Sequence, residues 1–144
     1  MSLTTSEQYC LKEVRRHDHD RYLTTLFLPA DRRNAAMALY AFNLEIARTR
    51  EIVSEPLLGQ IRLQWWRETI EGLFEGTPRE HPVVDALGGA IRRHDLSRDR
   101  LEALIDAREA DLDDGPPSDI EALESYAVET SGGLSALVMQ TLDS

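Results

Sequence analysis

Charged side chains enter an otherwise apolar stretch at residues 45–51, where they could form a polar site. The residues Ala35–Phe42 are apolar on every side, which is typical of a helix surrounded by other helices. Helical steps of three and four residues continue the stripe that begins at Met37 to Arg48 and Glu51. A charge in a helical interior needs a partner, a ligand or water, because burying it alone is costly. The spacing alone favours a helix end that leaves the core and meets solvent, and the alternative is a polar pocket at this end of the bundle.

Arg108 is a second charged residue on an apolar surface. The stripe that it interrupts consists of Leu101, Leu104, Ile105 and Leu112. Its long apolar stem allows the guanidinium to reach solvent, and this is the default prediction. The alternative is an interior carboxylate or an anion. If Arg108 faces the same interior as Glu45 or Glu51, an internal salt bridge explains it.

Three other groups of residues resemble functional sites but have simpler explanations. His17–Asp20 alternates histidine and aspartate, yet ligands on one helical face are three or four residues apart, so a solvated helix end is favoured over a metal site. Asp95 and Asp99 have the spacing of a magnesium-binding pair, but a chain with 26 acidic residues contains several such pairs by chance. Trp65 and Trp66 point in different directions on a helix and are predicted to pack.

The charge balance excludes some classes of function. Lysine and arginine total 16, and aspartate and glutamate total 26, which gives a formal net charge of −10. A nucleic-acid-binding protein needs a basic face, so we expect no nucleic-acid partner. Lys12 is the only lysine, and the arginines that supply the other positive charges favour planar pairing with carboxylates or phosphates.

Cysteine content and hydropathy bear on location. Cys10 is the only cysteine, which favours a reducing compartment without disulfides. No segment approaches the ~20 apolar residues of a transmembrane helix, and the N-terminus resembles neither a signal peptide nor a transit peptide. We expect a cytoplasmic protein, and contact with a membrane surface remains open.

The apolar periodicity predicts an all-α bundle of six or seven helices in one domain. A solvated acidic face is predicted for Glu102, Asp106, Glu109 and Asp113. The first predicted helix covers about Ser6–Arg16 and has a Thr4–Glu7 capping box, and a short apolar piece, Tyr22–Leu28, follows it. A long helix is predicted over about Asp31–Val53, and the next is capped by Ser54 and closed by Gly76. Three further helices are predicted to begin at Pro82, after Ser97, and at Ser118, which forms a second capping box with Glu121.

Several short motifs resemble, in their order and spacing, the squalene/phytoene synthase family. They are Arg21–Leu23 with Leu26–Pro29, Ala38–Phe42, Trp65–Arg67, His81–Val83 and Leu104–Asp106 with Asp111–Leu112. The resemblance extends from about Ser6 onward and covers about the N-terminal half of a family domain. It implies that residues 1–144 are a single helical domain, a truncated form of the isoprenoid-synthase fold.

The resemblance also implies a site. Active members join two prenyl diphosphates head to head, and two aspartate-rich motifs hold magnesium that neutralises the leaving group. The first motif falls at Ala47–Glu51, where Ala47 and Arg48 replace the expected aspartates and only Glu51 is acidic. An arginine repels the cation that this position should hold. With Glu45 and Arg108 these residues form a degenerate pocket, for which we expect no catalytic residue and no metal cofactor.

Further motifs resemble a subgroup of the family that takes part in the assembly of respiratory complex I. They are Phe42–Glu45, Val53–Glu55, Gln64–Trp66 and Tyr126–Ala127 with Glu129–Thr130. The resemblance implies a non-catalytic role with complex I subunits as partners. The alternatives are a magnesium-dependent prenyltransferase, with Arg48 and Arg50 contacting prenyl diphosphate, and a prenyl-lipid binder without turnover.

The last predicted helix runs almost to the end of the chain without a stop signal, which predicts a truncated domain. A bundle without its covering helices leaves one apolar face open. We therefore expect either self-association of the chain or an exposed hydrophobic patch.

Overall fold

The computed structural model describes residues 3–52, 56–114 and 133–143, and in these residues the chain forms seven α-helices and no β-strand. Their bounds are α1 Thr5–His17, α2 His19–Thr25, α3 Ala30–Ile52, α4 Pro56–Glu75, α5 Pro82–His94, α6 Arg98–Asp114 and α7 Gly133–Asp143. The predicted all-α fold class is confirmed.

Local sequence signals set several helix ends. The Thr4 hydroxyl accepts the backbone N–H of Glu7, and the Glu7 carboxylate accepts that of Thr4, both at 3.0 Å, which completes the capping box of α1. Gly76 ends α4 with a φ of 85°, a conformation that glycine adopts without steric cost. The Ser97 hydroxyl accepts the N–H of Arg100 at 3.3 Å at the start of α6. These three predictions are confirmed.

The start of α5 carries a cap that the sequence analysis did not anticipate. Pro82 is the first helical residue, as predicted, and Nδ1 of His81 accepts the N–H of Val83 at 3.1 Å. A ring nitrogen that accepts a hydrogen bond carries no proton, so the hydrogen of the neutral imidazole is on Nε2. The cap therefore fixes both the tautomer and the orientation of His81.

Helix α3 lies at the centre of the fold, where it packs against α1, α2, α4, α5, α6 and α7. Neighbours on so many sides explain the apolar run in its sequence: residues 35–39, Ala41 and Phe42 are at most 2% exposed. The alanines in this run allow adjacent helices to approach closely, because interhelical distance depends on the side chains at the contact. The core continues into α4, α5, α6 and α7.

The second helix differs from its prediction. It occupies His19–Thr25 rather than the apolar piece Tyr22–Leu28. The backbone turns at Asp18, which lies between α1 and α2, and Oδ2 of Asp18 pairs with Nη1 of Arg21 at 2.9 Å. This local ion pair, rather than apolar periodicity, marks where the helix begins. The predicted caps at Ser54 and at Ser118 with Glu121 lie outside the described residues.

Among the described residues, large apolar side chains are exposed in two groups and at one single position, Met139 on α7, which is 55% exposed. Around the end of α2 they are Leu23, Leu26 and Phe27, of which Phe27 is 90% exposed. On the first half of α4 they are Leu57, Leu58 and Ile61, which share one side of the helix and are called the apolar ridge below. Within the described residues, no helix combines the length and the apolar character that crossing a bilayer requires.

Candidate functional site

Helix α3 presents two different surfaces where its sequence turns polar. The closed face, which is completely buried, consists of Leu39, Phe42 and Ile46. The open stripe, which is half-buried, consists of Tyr40, Leu44, Ala47 and Arg48. Two of the predicted site residues, Ala47 and Arg48, therefore lie on the less covered surface of the central helix. The side chains of Arg50 and Glu51 lie outside the described part of the chain.

Arg48 lies against α1 and is 21% exposed. Its Nη1 is 3.8 Å from Oε1 of Glu13, and its buried Nη2 has no hydrogen-bond partner among the described residues. The same carboxylate accepts the Tyr9 hydroxyl at 3.1 Å and lies 3.4 Å from Nε2 of His17. The Arg48 charge therefore lies in a polar cluster between α1 and α3.

Burial and nearby carboxylates change the acidity of two side chains on α1. Burial and, next, the hydrogen bond to Glu13 raise the pKa of the Tyr9 hydroxyl. Burial, followed by the negative charges of Glu7 and Glu45, raises the pKa of the Cys10 thiol to about 12. Both groups are neutral at physiological pH, so the thiol offers no nucleophile.

Arg108 does not extend to solvent, which corrects the default prediction. It is half-buried, and its Nη2 donates to Oδ1 of Asn43, a buried residue of α3, at 3.4 Å. The physical reason is that α6 packs against α3, so the stem of Arg108 is directed across the interface rather than along the surface. Arg108 therefore reaches the interior of the bundle near the predicted site.

Glu45 lies in a different environment from Ala47. It lines a cavity of about 360 Å³ that is bounded mainly by α4 and by His81. The other lining residues are Ile61, Arg62, Trp65, Trp66 and His81. Glu45 therefore lines this cavity, and its charge also acts on Tyr9 and Cys10 of α1, near Arg48.

Three aromatic rings form one wall of the cavity. The Trp65 and Trp66 rings are 4.9 Å apart and nearly perpendicular, at 86°. The His81 ring is 5.9 Å from Trp65 and 5.5 Å from Trp66. Trp66 also packs edge-on against Phe42, as the packing prediction requires. Although adjacent residues point in different directions on a helix, both indoles line this cavity.

The acidic face of α6 is not only solvated, which corrects that prediction. Asp106 and Glu109 both pair with the guanidinium of Arg67 on α4. The two hydrogen bonds and the two negative charges outweigh the opposing effect of burial and raise the pKa of Arg67. The tie joins α4 to α6, and the acidic periodicity alone could not reveal its partner on another helix.

The remaining candidates have structural explanations. Asp95 ends α5 in the left-handed conformation with φ 50°, and Asp99 lies in the first turn of α6, where the helix dipole favours a carboxylate. His17 and Asp18 make the local pairs with Glu13 and Arg21 already described. Among residues 3–52, 56–114 and 133–143, no three histidine, cysteine, aspartate or glutamate side chains are placed to hold a metal ion together.

The fold and its relatives define the class of the protein. The structure superposes on a crystal structure of a dehydrosqualene synthase in complex with ligand, with a TM-score of 0.82 and 18% identity, over 94% of this chain and 47% of that one. At this identity the likeness shows the fold alone. The model of the squalene/phytoene synthase family matches residues 14–144. The chain belongs to the squalene/phytoene synthase family.

Two relatives indicate where in the family the chain lies. It is 39% identical over 137 residues to a Bos taurus protein named NADH dehydrogenase (ubiquinone) complex I, assembly factor 6. It is 29% identical over 134 residues to a 15-cis-phytoene synthase of Synechococcus elongatus. These alignments cover 95% and 91% of this chain but only 41% and 42% of the relatives. The chain thus spans about two fifths of the length of these proteins.

Proposed function

We propose that this chain is part of a non-catalytic family member that supports the assembly of respiratory complex I, with complex I subunits as its partners. The support from relatives is the higher identity to the assembly factor, 39% against 29% for the phytoene synthase. Because the chain covers 41% of the assembly factor's length, the proposed role belongs to the whole protein.

The position of Arg48 carries the proposal. Where the family resemblance places two magnesium-binding aspartates, Ala47 has no ligand atom and Arg48 adds a positive charge, so these residues do not fit the metal. Arg48 lies beside Glu13, so the nearest carboxylate of α1 already has a cationic neighbour. We therefore expect positions 47 and 48 to contribute no metal ligand that would assist the departure of diphosphate.

A second candidate function rests on one atom. Nη2 of Arg48 is buried and has no hydrogen-bond partner among the described residues, so it is a donor whose acceptor lies outside them. Such a donor suits an oxygen of a prenyl diphosphate or prenyl lipid, bound without metal and without turnover. We rank this below the assembly role because Glu13 also attracts the guanidinium.

We place the role in the cytoplasm, at the surface of the membrane that contains complex I. The single cysteine of the chain is buried and protonated, which fits a reducing compartment. The exposed apolar ridge on α4 is a surface through which the protein could contact membrane or partner.

A deletion experiment with a charge-swap control tests the assembly role. Deleting the gene in its own organism is expected to lower assembled complex I on native gels and leave squalene and phytoene content unchanged. The full-length gene product that carries both Glu13→Arg and Arg48→Glu keeps an opposite-charge pair and is expected to restore assembly. Failure of the deletion to affect complex I would refute the proposal.

A binding experiment separates the two candidates and the active enzyme. The full-length protein is heated with farnesyl diphosphate, with and without magnesium. We expect no metal-dependent rise in melting temperature and no product. A rise without magnesium that Arg48→Met abolishes would support the prenyl-diphosphate binder. A magnesium-dependent rise with product formation would establish the prenyltransferase and overturn the non-catalytic role.

A further inference from the structure

The end of α2 carries an apolar surface that the proposed function does not use. Leu23 and Leu26 are 43% and 45% exposed, and Phe27 is 90% exposed. Their spacing of three and four residues places them on one side of the chain, and they are called the apolar tip below. Tyr22 and Leu28 of the same segment pack against the core, so the segment is anchored on one side and apolar on the outer side as well. A contiguous exposed patch of this kind is typical of an interaction surface.

Arg33, near the start of α3, holds the backbone of the apolar tip in place. Its Nε donates to the carbonyl of Thr25 at 3.2 Å, and its Nη2 donates to the carbonyls of Leu26 at 3.4 Å and Leu28 at 3.0 Å. These bonds fix the chain on both sides of Phe27. The outward position of the Phe27 ring is therefore a feature of an ordered turn, and the ring is presented without a further change of conformation.

Most polar groups of the apolar tip are paired within the chain. The backbone N–H groups of residues 26–28 donate to the carbonyls of residues 23–25, at distances between 3.0 and 3.4 Å. The hydroxyls of Thr24 and Thr25 likewise donate to backbone carbonyls one turn earlier, at 2.7 and 2.6 Å. An unpaired polar group is costly to move from water into lipid. The tip avoids most of this cost, which favours a lipid surface over a protein partner that would form hydrogen bonds with the backbone.

The charge around the apolar tip is opposite in sign to that of the chain. Residues 15–33 contain five arginines and three aspartates, a net charge of +2, whereas the whole chain has a net charge of −10. Arg15 is exposed, and its guanidinium carbon lies 5.8 Å from the ring centroid of Tyr22, one helical turn before Leu26. An arginine beside an apolar surface complements anionic lipid, because attraction to the headgroups adds to the burial of apolar side chains.

We propose that the apolar tip docks on the surface of a bilayer that contains anionic lipid. Leu23, Leu26 and Phe27 enter the headgroup region, and Arg15 lies against the lipid phosphates. The inference deepens the proposed location at a membrane surface, because it identifies the contact and the lipid charge that the contact requires. Complex I takes no part in the contact, so vesicles alone test it.

Sedimentation of the full-length protein with vesicles tests the contact. Vesicles of phosphatidylcholine mixed with phosphatidylglycerol are expected to bind about tenfold more tightly than vesicles of phosphatidylcholine alone. Phe27→Ser should weaken binding to the mixed vesicles about tenfold, because the exposed ring is no longer available for burial. Leu57→Ser, an exposed apolar position on α4, is the matched control and should leave binding unchanged. Both side chains are exposed, so neither variant should lower the melting temperature.

Two further variants test the charge and the insertion separately. Arg15→Gln should weaken binding to the mixed vesicles several-fold, whereas Arg15→Lys keeps the charge and should not. In Phe27→Trp, lipids brominated on their acyl chains are expected to quench the added indole relative to the wild type.

Absence of vesicle binding, equal binding to neutral and mixed vesicles, or equal effects of Phe27→Ser and Leu57→Ser would refute the proposal. If vesicles do not bind and Phe27→Ser lowers assembled complex I in cells, the tip contacts a protein and the lipid contact is overturned. A negative vesicle result does not bear on the assembly role, which the gene deletion tests.

Discussion

The two surfaces of α3 are stabilised in different ways. The closed face is covered by helices of the same chain, and its three large side chains are buried without polar contacts. The open stripe is covered only in part, and its residues depend on individual interactions with α1 and α2, such as Arg48 with Glu13 and Tyr40 with Arg21. The closed face therefore contributes most of the stability of α3, and the open stripe is available for binding.

The difference between the closed face and the open stripe explains why positions 47 and 48 tolerate alanine and arginine. A substitution on the closed face must fit a fully packed interior, where Leu39, Phe42 and Ile46 are at most 1% exposed. A substitution on the open stripe needs only a local partner, and Arg48 finds one in Glu13. The loss of aspartates at 47 and 48 is therefore compatible with an intact fold.

The largest expected effect on the free energy of unfolding comes from shortening a leucine to alanine, and we compare this change on the closed face and on the open stripe. Leu39→Ala, on the closed face, should lower the free energy of unfolding by about 3 kcal/mol, because it leaves a cavity in a packed interior. Leu44→Ala, on the half-buried open stripe, should cost about 1 kcal/mol. Urea unfolding measures both values. Equal losses would contradict the distinction between the two surfaces.

A smaller loss of unfolding free energy is expected only at alkaline pH, and it comes from Cys10, a buried residue of α1. Its pKa is about 12 in the folded protein against 9.0 for the free thiol, so the unfolded state loses this proton first as the pH rises. Its contribution to stability is complete below pH 9 and is lost as the pH rises towards 12. At pH 10 the loss relative to neutral pH should be about 1.4 kcal/mol.

The measurement for Cys10 is the difference between two pH profiles. Urea unfolding of the wild type and of Cys10→Ala is followed from pH 7 to 10, so that other titrating groups cancel. The wild type should lose stability faster above pH 9. The native thiol should also react slowly with iodoacetamide at pH 8. Rapid native-state alkylation would show that the region between α1 and α3 is open rather than packed.

The helical fold was predictable because its signals are local. The capping box at Thr4 and Glu7, the stop at Gly76 and the start at Pro82 each depend on a few adjacent residues. The apolar run of α3 likewise identifies a central helix, because a helix with neighbours on every side needs no polar face.

The candidate site was less predictable because its contacts join distant segments. The pairing of Arg67 with Asp106 and Glu109 spans about forty residues, and Arg108 reaches Asn43 across a similar interface. The cavity combines Glu45 on α3 with the indoles of α4 and with His81, the N-cap of α5. Such combinations depend on helix packing, which apolar periodicity does not specify.

The ion pair on the open stripe should contribute a moderate amount. Glu13→Gln leaves the Arg48 guanidinium half-buried with a weaker acceptor, and we expect a loss of about 1 kcal/mol of unfolding free energy. In a double-mutant cycle with Arg48→Met, the coupling energy should also be about 1 kcal/mol and fall at high salt. A coupling energy of zero would show that Arg48 is held by packing and not by Glu13.

The smallest expected effect tests whether α2 covers the open stripe. The Arg21 guanidinium carbon lies 5.7 Å from the Tyr40 ring centroid, so the pair should contribute about 0.5 kcal/mol at this partly exposed position. Arg21 also pairs with Asp18, so the single variant Arg21→Met removes two interactions and overstates the contact.

A cycle of Arg21→Met with Tyr40→Leu isolates the ring contact, and Tyr40→Phe is the matched control, because it keeps the ring and removes only the hydroxyl. The coupling measured with Tyr40→Leu should disappear when Tyr40→Phe is used instead, since phenylalanine still receives the cation. If phenylalanine and leucine give the same coupling, the hydroxyl and not the ring faces Arg21. In that case α2 contacts the stripe through the Tyr40 hydroxyl, and the cation–π contact makes no contribution to stability.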